Sequence, residues 1–215
     1  MTLEDYILEH IDPEPEWLRR VDRDTNLRLY NPRMCSGHLQ GRLLKMLVQI
    51  SGASRILELG TYSAYSTLCM AEGLRPSGEI HTIEVNDELE DLIRHNLSLS
   101  PFGDKVCLHI GDACQLLEEM PWYFIFDFAF IDADKRRYAD YYRLIKPRMV
   151  AGGLIVADNT LWDGHVVASE RHSPQTLGVM EFNSLVGADP DVEKVMLPLR
   201  DGLTIIRVKP RCEWA

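Results

Sequence analysis

The segment IVADNTLWDG, residues 155–164, runs from β-branched apolar residues straight into oxygen donors. Asp158 and Asn159 stand side by side, followed by Thr160 and the large aromatic Trp162. A carboxylate and a carboxamide where an apolar strand surfaces suit a turn, or a hard metal ion, whose ligands are oxygens. FIDADKRRY, residues 130–138, has the same form: Asp132 closes an apolar run and Lys135 follows three residues on. Asp132, Asp158 and Asn159 together offer three oxygen ligands, two of them anionic. They leave positions on an octahedral ion for water or substrate, so Mg2+ is the expected occupant, with Mn2+ or Ca2+ as substitutes. A lysine beside such an ion and a cationic cofactor can serve as a base.

LELGTYSAYS, residues 57–66, carries a second kind of chemistry. Gly60 permits a tight turn and close approach to a ligand. The later glycines of a dinucleotide fingerprint are missing, since positions 62 and 65 are tyrosine, so a cradled pyrophosphate is poorly supported. Glu58, just before the glycine, would repel a diphosphate and attract a cationic head. Glu84 lies 24 residues beyond Gly60, where an acidic residue can accept both hydroxyls of a ribose. A cofactor with a ribose, a positive charge and no phosphate is S-adenosylmethionine. Asp112, at a third strand end, fits the same set.

These residues share a position because of the elements that carry them. RILELG, EIHTIEV, KVCLHIGDA, FDFAFIDAD and GGLIVADN read as strands alternating with helical segments. That alternation predicts an α/β fold, a doubly wound and mostly parallel sheet of seven strands, Rossmann-like in its winding. In such sheets ligands bind beyond the carboxyl ends of the strands, where Glu58, Gly60, Glu84, Asp112, Asp132, Asp158 and Asn159 fall. DVEKVMLP and GLTIIRVK flank LRDG and predict an antiparallel C-terminal hairpin. The first fifty residues read as helices, with Leu39, Leu43, Leu44, Leu47 and Val48 at helical spacing. The expected layout is a single domain over 1–215, with a helical extension over 1–52 and the core over 53–210.

Composition narrows the function classes. The chain has 215 residues, 46% hydrophobic and 26% charged, and a net charge of −10. That charge repels phosphate backbones. The one obvious basic cluster, DKRRY with Arg143, Lys146 and Arg148, reads as a solvated helix face. The longest apolar stretch, near 149–157, is too short to span a bilayer. The start MTLEDYILEH lacks the basic and apolar regions of a signal peptide, so a cytoplasmic location is expected. The five cysteines, Cys35, Cys69, Cys107, Cys114 and Cys212, include no CxxC pair, which argues against a zinc cage. Cys69 and Cys107 read as small core residues.

From ILELGTYSAYS, HTIEV, IGDA, FAFIDADKRRYADYY, GGLIVADNTLWDG and PLRDGLTIIRVK, the chain resembles the class I cation-dependent O-methyltransferases of the catechol and caffeoyl-CoA O-methyltransferase type. The likeness runs from about Met34 to Lys209. It implies that Asp132, Asp158 and Asn159 bind the divalent metal and that Lys135 is the base. It implies that Glu84 holds the ribose and that Asp112 and Ala113 flank the adenine. Glu58, Gly60, Tyr62 and Ser66 would line the methionine side, with Asp132 bordering both ligands. Met34 and Ser36 would close over the cofactor, and Trp162 would border the acceptor. A homodimer and a small hydroxylated aromatic acceptor are also implied. Ala64 departs from the family's usual glycine, and two outcomes stay open: the added methyl is accommodated, or it tightens the cofactor turn and weakens binding.

Three other functions compete. Relatives of this fold methylate a hydroxylated uridine in tRNA, which the basic cluster permits and the net charge opposes. A nicotinamide-dependent oxidoreductase is disfavoured by the absent glycines. A non-catalytic S-adenosylmethionine-binding module is disfavoured by the presence of Lys135 and all three metal ligands.

Overall fold

The computed structural model describes residues 1–169 and 171–210; Cys212 lies outside them. Three helices come first: α1 (Leu3–Glu9), α2 (Glu16–Arg28) and α3 (Gly37–Ser51). Strands and helices then alternate: β1 (Arg55–Leu59), α4 (Tyr65–Gly73), β2 (Glu79–Glu84), α5 (Glu90–Ser98), β3 (Val106–Ile110), α6 (Ala113–Glu119), β4 (Phe126–Ile131), α7 (Tyr138–Ile145) and β5 (Met149–Asp158). After α8 (Pro174–Ala188) come β6 (Val192–Leu197) and β7 (Leu203–Val208).

The seven strands form one sheet in the order β3-β2-β1-β4-β5-β7-β6. Strands β1 to β5 pair in parallel, while β7 pairs antiparallel with both β5 and β6. The doubly wound sheet and its antiparallel hairpin are therefore as the alternation predicted. The winding turns one way from β1 through β2 to β3, and the other way from β4 to β5. The crevice between β1 and β4 is thus the topological switch point.

Alternation along each strand feeds two cores, because successive side chains point to opposite faces. Leu57, Leu59, Ala129 and Ile131 pack with Tyr138, Tyr142 and Phe182 on one face. Ile56, Phe128, Phe130 and Val156 pack with Leu44, Val48 and Met70 on the other. A third cluster joins α2, α4 and α5 through Leu18, Val21, Leu68 and Ile93.

Two helical segments differ from the periodicity reading. The helical segment SAYSTLCMAEGL, residues 63–74 of the sequence, begins its helix only at Tyr65, because Tyr62 and Ala64 take left-handed φ of 50 and 66. The helical segment RRYADYYRLIKPRM, residues 136–149, is broken: α7 is flanked by short 3-10 turns at Lys135–Arg137 and Lys146–Arg148. Cys69 is buried as expected, but Cys107 is exposed, because β3 is the outermost strand and has no neighbour to cover it. No helix among the described residues is long and apolar enough to cross a membrane.

Candidate functional site

A cavity of about 920 Å³ opens at the carboxyl ends of the parallel strands, within the size range of small-molecule sites. Its walls include Met34, Ser36, Gly60, Tyr62, Ser66, Glu84, Asp112, Ala113, Asp132, Lys135, Asp158, Asn159 and Trp162. Gly60 has φ +93, and a Cβ there would lie 2.0 Å from the Asp132 carbonyl oxygen. The ends of β1 and β4 therefore meet only because residue 60 has no side chain.

Asp132, Asp158, Asn159 and Lys135 form one end of the cavity. Asp158, at the last position of β5, is only 2% exposed. Gln40 Nε2 of α3 donates to its Oδ2 at 2.7 Å, and the Asn159 amide donates to its Oδ1 at 2.8 Å. Burial first, and the neighbouring charge of Asp132 second, push the Asp158 carboxyl up to about 6. Lys135 Nζ donates to Asp132 Oδ1 at 2.7 Å and to the Tyr138 hydroxyl at 2.8 Å. That hydroxyl lies 3.2 Å from the Ile131 carbonyl and 3.1 Å from the Asp158 carbonyl, linking the ends of β4 and β5. Burial holds Tyr138 well above the usual phenol range, so it stays a neutral phenol.

The donor set fits a hard cation. Two carboxylates that repel each other lie together in a buried pocket, faced by one ammonium. Asn159 takes φ 56, a conformation asparagine tolerates better than most residues. Its Nδ2 donates to Asp201 Oδ2 at 3.3 Å, so Oδ1 is the amide atom left to serve as a metal ligand. All three groups then present oxygen, the ligand type that Mg2+ prefers.

Glu84 shapes the opposite end. Its Oε2 accepts from the Tyr62 amide at 2.8 Å and its Oε1 from the Asn86 amide at 2.9 Å. Each carboxylate oxygen keeps a further acceptor site, so the group suits a vicinal diol such as a ribose. Asp112 caps α6 by accepting from the Gln115 amide at 3.0 Å, and Arg137 pairs with its other oxygen. The amide and then the guanidinium hold Asp112 below the usual carboxylate range. Ala113 begins α6 beside it.

Glu58 corrects the expectation that it lines the methionine side. It is fully buried and does not reach the cavity wall. In β1 its side chain shares a face with Ile56, beneath α4, where the hydroxyls of Ser66, Thr67 and Thr82 all donate to it. Burial outweighs those three donors and pushes Glu58 up to about 7. It is Ser66, standing on Glu58, that faces the cavity. Of the two outcomes open for Ala64, the structure shows the accommodated one: its methyl is buried with Leu18, Val21 and Leu68 and is not part of the cavity wall. Its cost is the left-handed backbone, about 1–2 kcal/mol for a residue with a Cβ.

Several contributors were not singled out from the sequence. Gln40 reaches Asp158 across 118 residues of chain. Arg200, in the turn between β6 and β7, donates to the carbonyls of Ser36 and Arg33 and fastens that segment over the cavity. Tyr62 helps by donating its hydroxyl to the Asn31 carbonyl at 2.9 Å. Asp201 accepts from the Leu161 and Trp162 amides through its carbonyl, which sets the loop that carries Trp162. LRDG, legible in the sequence as a hairpin turn, also brings Arg200 and Asp201 to the cavity wall.

The chain is similar to known proteins along most of its length. The family model described as O-methyltransferase matches residues 9–209. A caffeoyl-CoA O-methyltransferase of Petroselinum crispum is 33% identical, over 96% of this chain and 90% of its own. An O-methyltransferase of Bacillus cereus, solved in complex with SAH, superposes with a TM-score of 0.89 at 30% identity, covering 96% of this chain and 97% of that one. An O-methyltransferase of Streptomyces achromogenes involved in tomaymycin synthesis, solved with SAM, gives a TM-score of 0.90 at 25% identity, covering 98% and 100%.

Proposed function

The chain belongs to the O-methyltransferase family and is an S-adenosylmethionine-dependent O-methyltransferase, and from that premise we propose that its acceptor is a small vicinal diol of the catechol class and that Asp132, Asp158 and Asn159 hold a divalent cation, Mg2+ first. The observation that carries this reading is the pair of mutually repelling carboxylates, Asp132 and Asp158, beside Lys135 in one cavity wall. A divalent cation held there would draw two neighbouring acceptor oxygens and favour the deprotonated form of one.

The chain's own residues supply the rest. An acceptor hydroxyl gives up its proton, its oxygen bonds to the methyl carbon, and the sulfonium–methyl bond breaks to leave S-adenosylhomocysteine. Lys135 is the residue placed to carry that proton away, and its Nζ is held by Asp132 Oδ1 and the Tyr138 hydroxyl, its partners in the structure. Glu84 anchors the donor's ribose and Asp112 with Ala113 borders its adenine, so the methyl group is fixed relative to the acceptor. Alignment of this kind is worth roughly 7–11 kcal/mol over free reactants. Trp162 and the segment closed by Arg200 border the cavity and limit water.

A hydroxylated uridine in tRNA is the second acceptor class, and the structure weighs against it. Arg136 pairs with Asp134, Arg143 with Asp140 and Glu181, and Lys146 with Asp189 and Asp191. Arg148 donates to the carbonyls of Leu117, Met120 and Pro121. The basic cluster is thus largely spent within the chain. A homodimer in the cytoplasm completes the proposal, with exposed Leu3 and Tyr6 of α1 available for the contact.

The test is methyl transfer to a panel read by mass spectrometry: catechols, caffeoyl esters, their monohydroxy analogues and hydroxyuridine-containing tRNA, each with Mg2+ and with a chelator. The expected result is methylation of the diols alone, abolished by the chelator. Equal transfer to the monohydroxy analogues in the chelator contradicts the proposal, and transfer to tRNA alone moves the assignment to the second class.

A further inference from the structure

At the other end of the parallel strands, three residues of a different chemical character converge. Glu79 and His81 lie on β2 and Cys107 on β3. His81 and Cys107 are direct partners in the parallel register, and Glu79 is two residues before His81, so all three project from one face. One ligand atom from each can be chosen so that all lie within 4.8 Å of one another, the only such group of His, Cys, Asp and Glu side chains among the described residues.

The histidine supplies the second, independent observation. His81 is 7% exposed, and its Nε2 is buried with no hydrogen-bond partner. Glu79 Oε1 lies 3.5 Å from that nitrogen, too long for a good hydrogen bond. It is close to the roughly 3.4 Å that separates two ligands on tetrahedral arms of about 2.1 Å. His81 Nδ1 is 3.0 Å from His109 Nε2. When Nδ1 carries the proton and donates it to His109, the orphaned Nε2 presents a lone pair toward Glu79 and Cys107. Histidine ligands are held in this way, the far nitrogen bonded to an outer partner that fixes the tautomer. Phe124 and Phe126 meet the His81 ring edge to face and leave it little freedom to turn. Arg55 Nε donates to Glu79 Oε1 at 2.7 Å and orients that carboxylate while offsetting part of its charge. Cys107 is exposed, so an ion can enter from its side.

We propose that Glu79, His81 and Cys107 form a second metal site, selective for a thiophilic divalent ion such as Zn2+, with a fourth position open to water. Thiolate and imidazole donors favour Zn2+ over Mg2+ or Ca2+. Binding displaces the Cys107 thiol proton into solvent, because the ligand is the thiolate. The site ties the outermost strand β3 to β2. Its nearer β2 ligand, His81, stands three positions and about 10 Å from Glu84 along the strand, and its role is independent of the methyl-transfer reaction.

Co2+ is the probe. It is added to the whole protein, freed of metal and held in excess Mg2+, and followed by the thiolate-to-cobalt charge-transfer band in the near ultraviolet. One equivalent should develop the band, Zn2+ should displace it, and Mg2+ should not. Cys107→Ser should abolish the band, while Asp158→Ala should leave it intact. His109→Ala, which keeps all three ligands and removes the outer partner, should weaken Co2+ binding by about 10–100-fold. All three substitutions should be confirmed as folded by circular dichroism. A band that survives Cys107→Ser, or no band in the unaltered protein, overturns the proposal. Loss of the band in Asp158→Ala would move the ion to the cofactor cavity and overturn it equally.

Discussion

The two ends of strand β2 show how one sheet separates two chemistries. At its carboxyl end, Glu84 joins Asp132 and Asp158 around a cavity of about 920 Å³, and these three groups all offer carboxylate oxygens. At its amino end, Glu79, His81 and Cys107 supply an oxygen, a nitrogen and a sulfur beside the edge strand β3. The first end lies beside the switch point, where β1 and β4 diverge and leave a crevice deep enough for a cofactor. The second lies beside the outermost strand, away from that switch point. Position in the sheet therefore sets whether a cluster can enclose a substrate, and donor type sets which ion it takes.

The largest expected effect falls at the carboxyl end. Asp158→Ala should lower kcat/KM by on the order of 10³-fold, since a catalytic cation contributes several kcal/mol and each 1.36 kcal/mol is tenfold in rate. Steady-state kinetics on the best diol checks it. A drop of less than tenfold would erase the functional contrast between the two ends.

Next comes Glu58, beneath that same end. Its carboxyl is raised from 4.5 to about 7 in the folded chain, chiefly by burial. A raised folded value means that its stability contribution is complete below the unfolded pKa. That contribution is lost as pH climbs through the folded one. Between pH 4.5 and pH 8 the unaltered protein should lose about 3 kcal/mol through this group. Glu58→Gln keeps one oxygen acceptor and turns the other contact into an NH2 donating to a hydroxyl oxygen, and it should remove that portion of the slope. Urea unfolding of both proteins at several pH values measures the difference, and parallel curves would refute the assignment.

Glu84→Ala should raise the Kd for S-adenosylmethionine by about 10–100-fold, from the loss of charge-assisted hydrogen bonds worth roughly 1.5–3 kcal/mol. Calorimetry reads this directly. Because the Glu84 carboxylate also accepts from the Tyr62 and Asn86 amides, Glu84→Gln should recover part of the affinity. Co2+ binding at the amino end should stay unchanged in both, which sharpens the separation.

Ala64→Gly should have the smallest effect. Relief of left-handed backbone, about 1 kcal/mol, is offset by loss of a buried methyl, about 0.8 kcal/mol, and by a more flexible unfolded chain. Stability should move by less than about 1 kcal/mol, and cofactor affinity should hold. A large gain in affinity would mean that the methyl does intrude on the cofactor turn.

The same comparison explains what the sequence revealed. Asp132, Asp158 and Asn159 were legible because each ends an apolar strand, and strand ends can be read from local pattern. Lys135 was legible because it lies three residues past Asp132. Glu58 was also at a strand end, yet the period of two turns it toward α4 rather than the cavity, and Ser66 takes the exposed position. Gln40 and Arg200 depend on contacts 118 and 164 residues apart, which no local pattern encodes. The amino-end cluster was invisible for the same reason: Cys107 meets His81 only through the pairing of β2 and β3. Cys107 looked like core because its run is apolar, and only the strand order leaves it exposed.

The most direct test of the central claim is a Mn2+ titration of metal-free enzyme, followed by electron paramagnetic resonance alongside the diol methylation rate. One Mn2+ per chain should bind, the rate should rise in step with occupancy, and both should vanish in Asp158→Ala while surviving Cys107→Ser. Full activity in the metal-free enzyme, or unchanged Mn2+ binding in Asp158→Ala, would contradict the assignment of Asp132, Asp158 and Asn159 as the catalytic metal site.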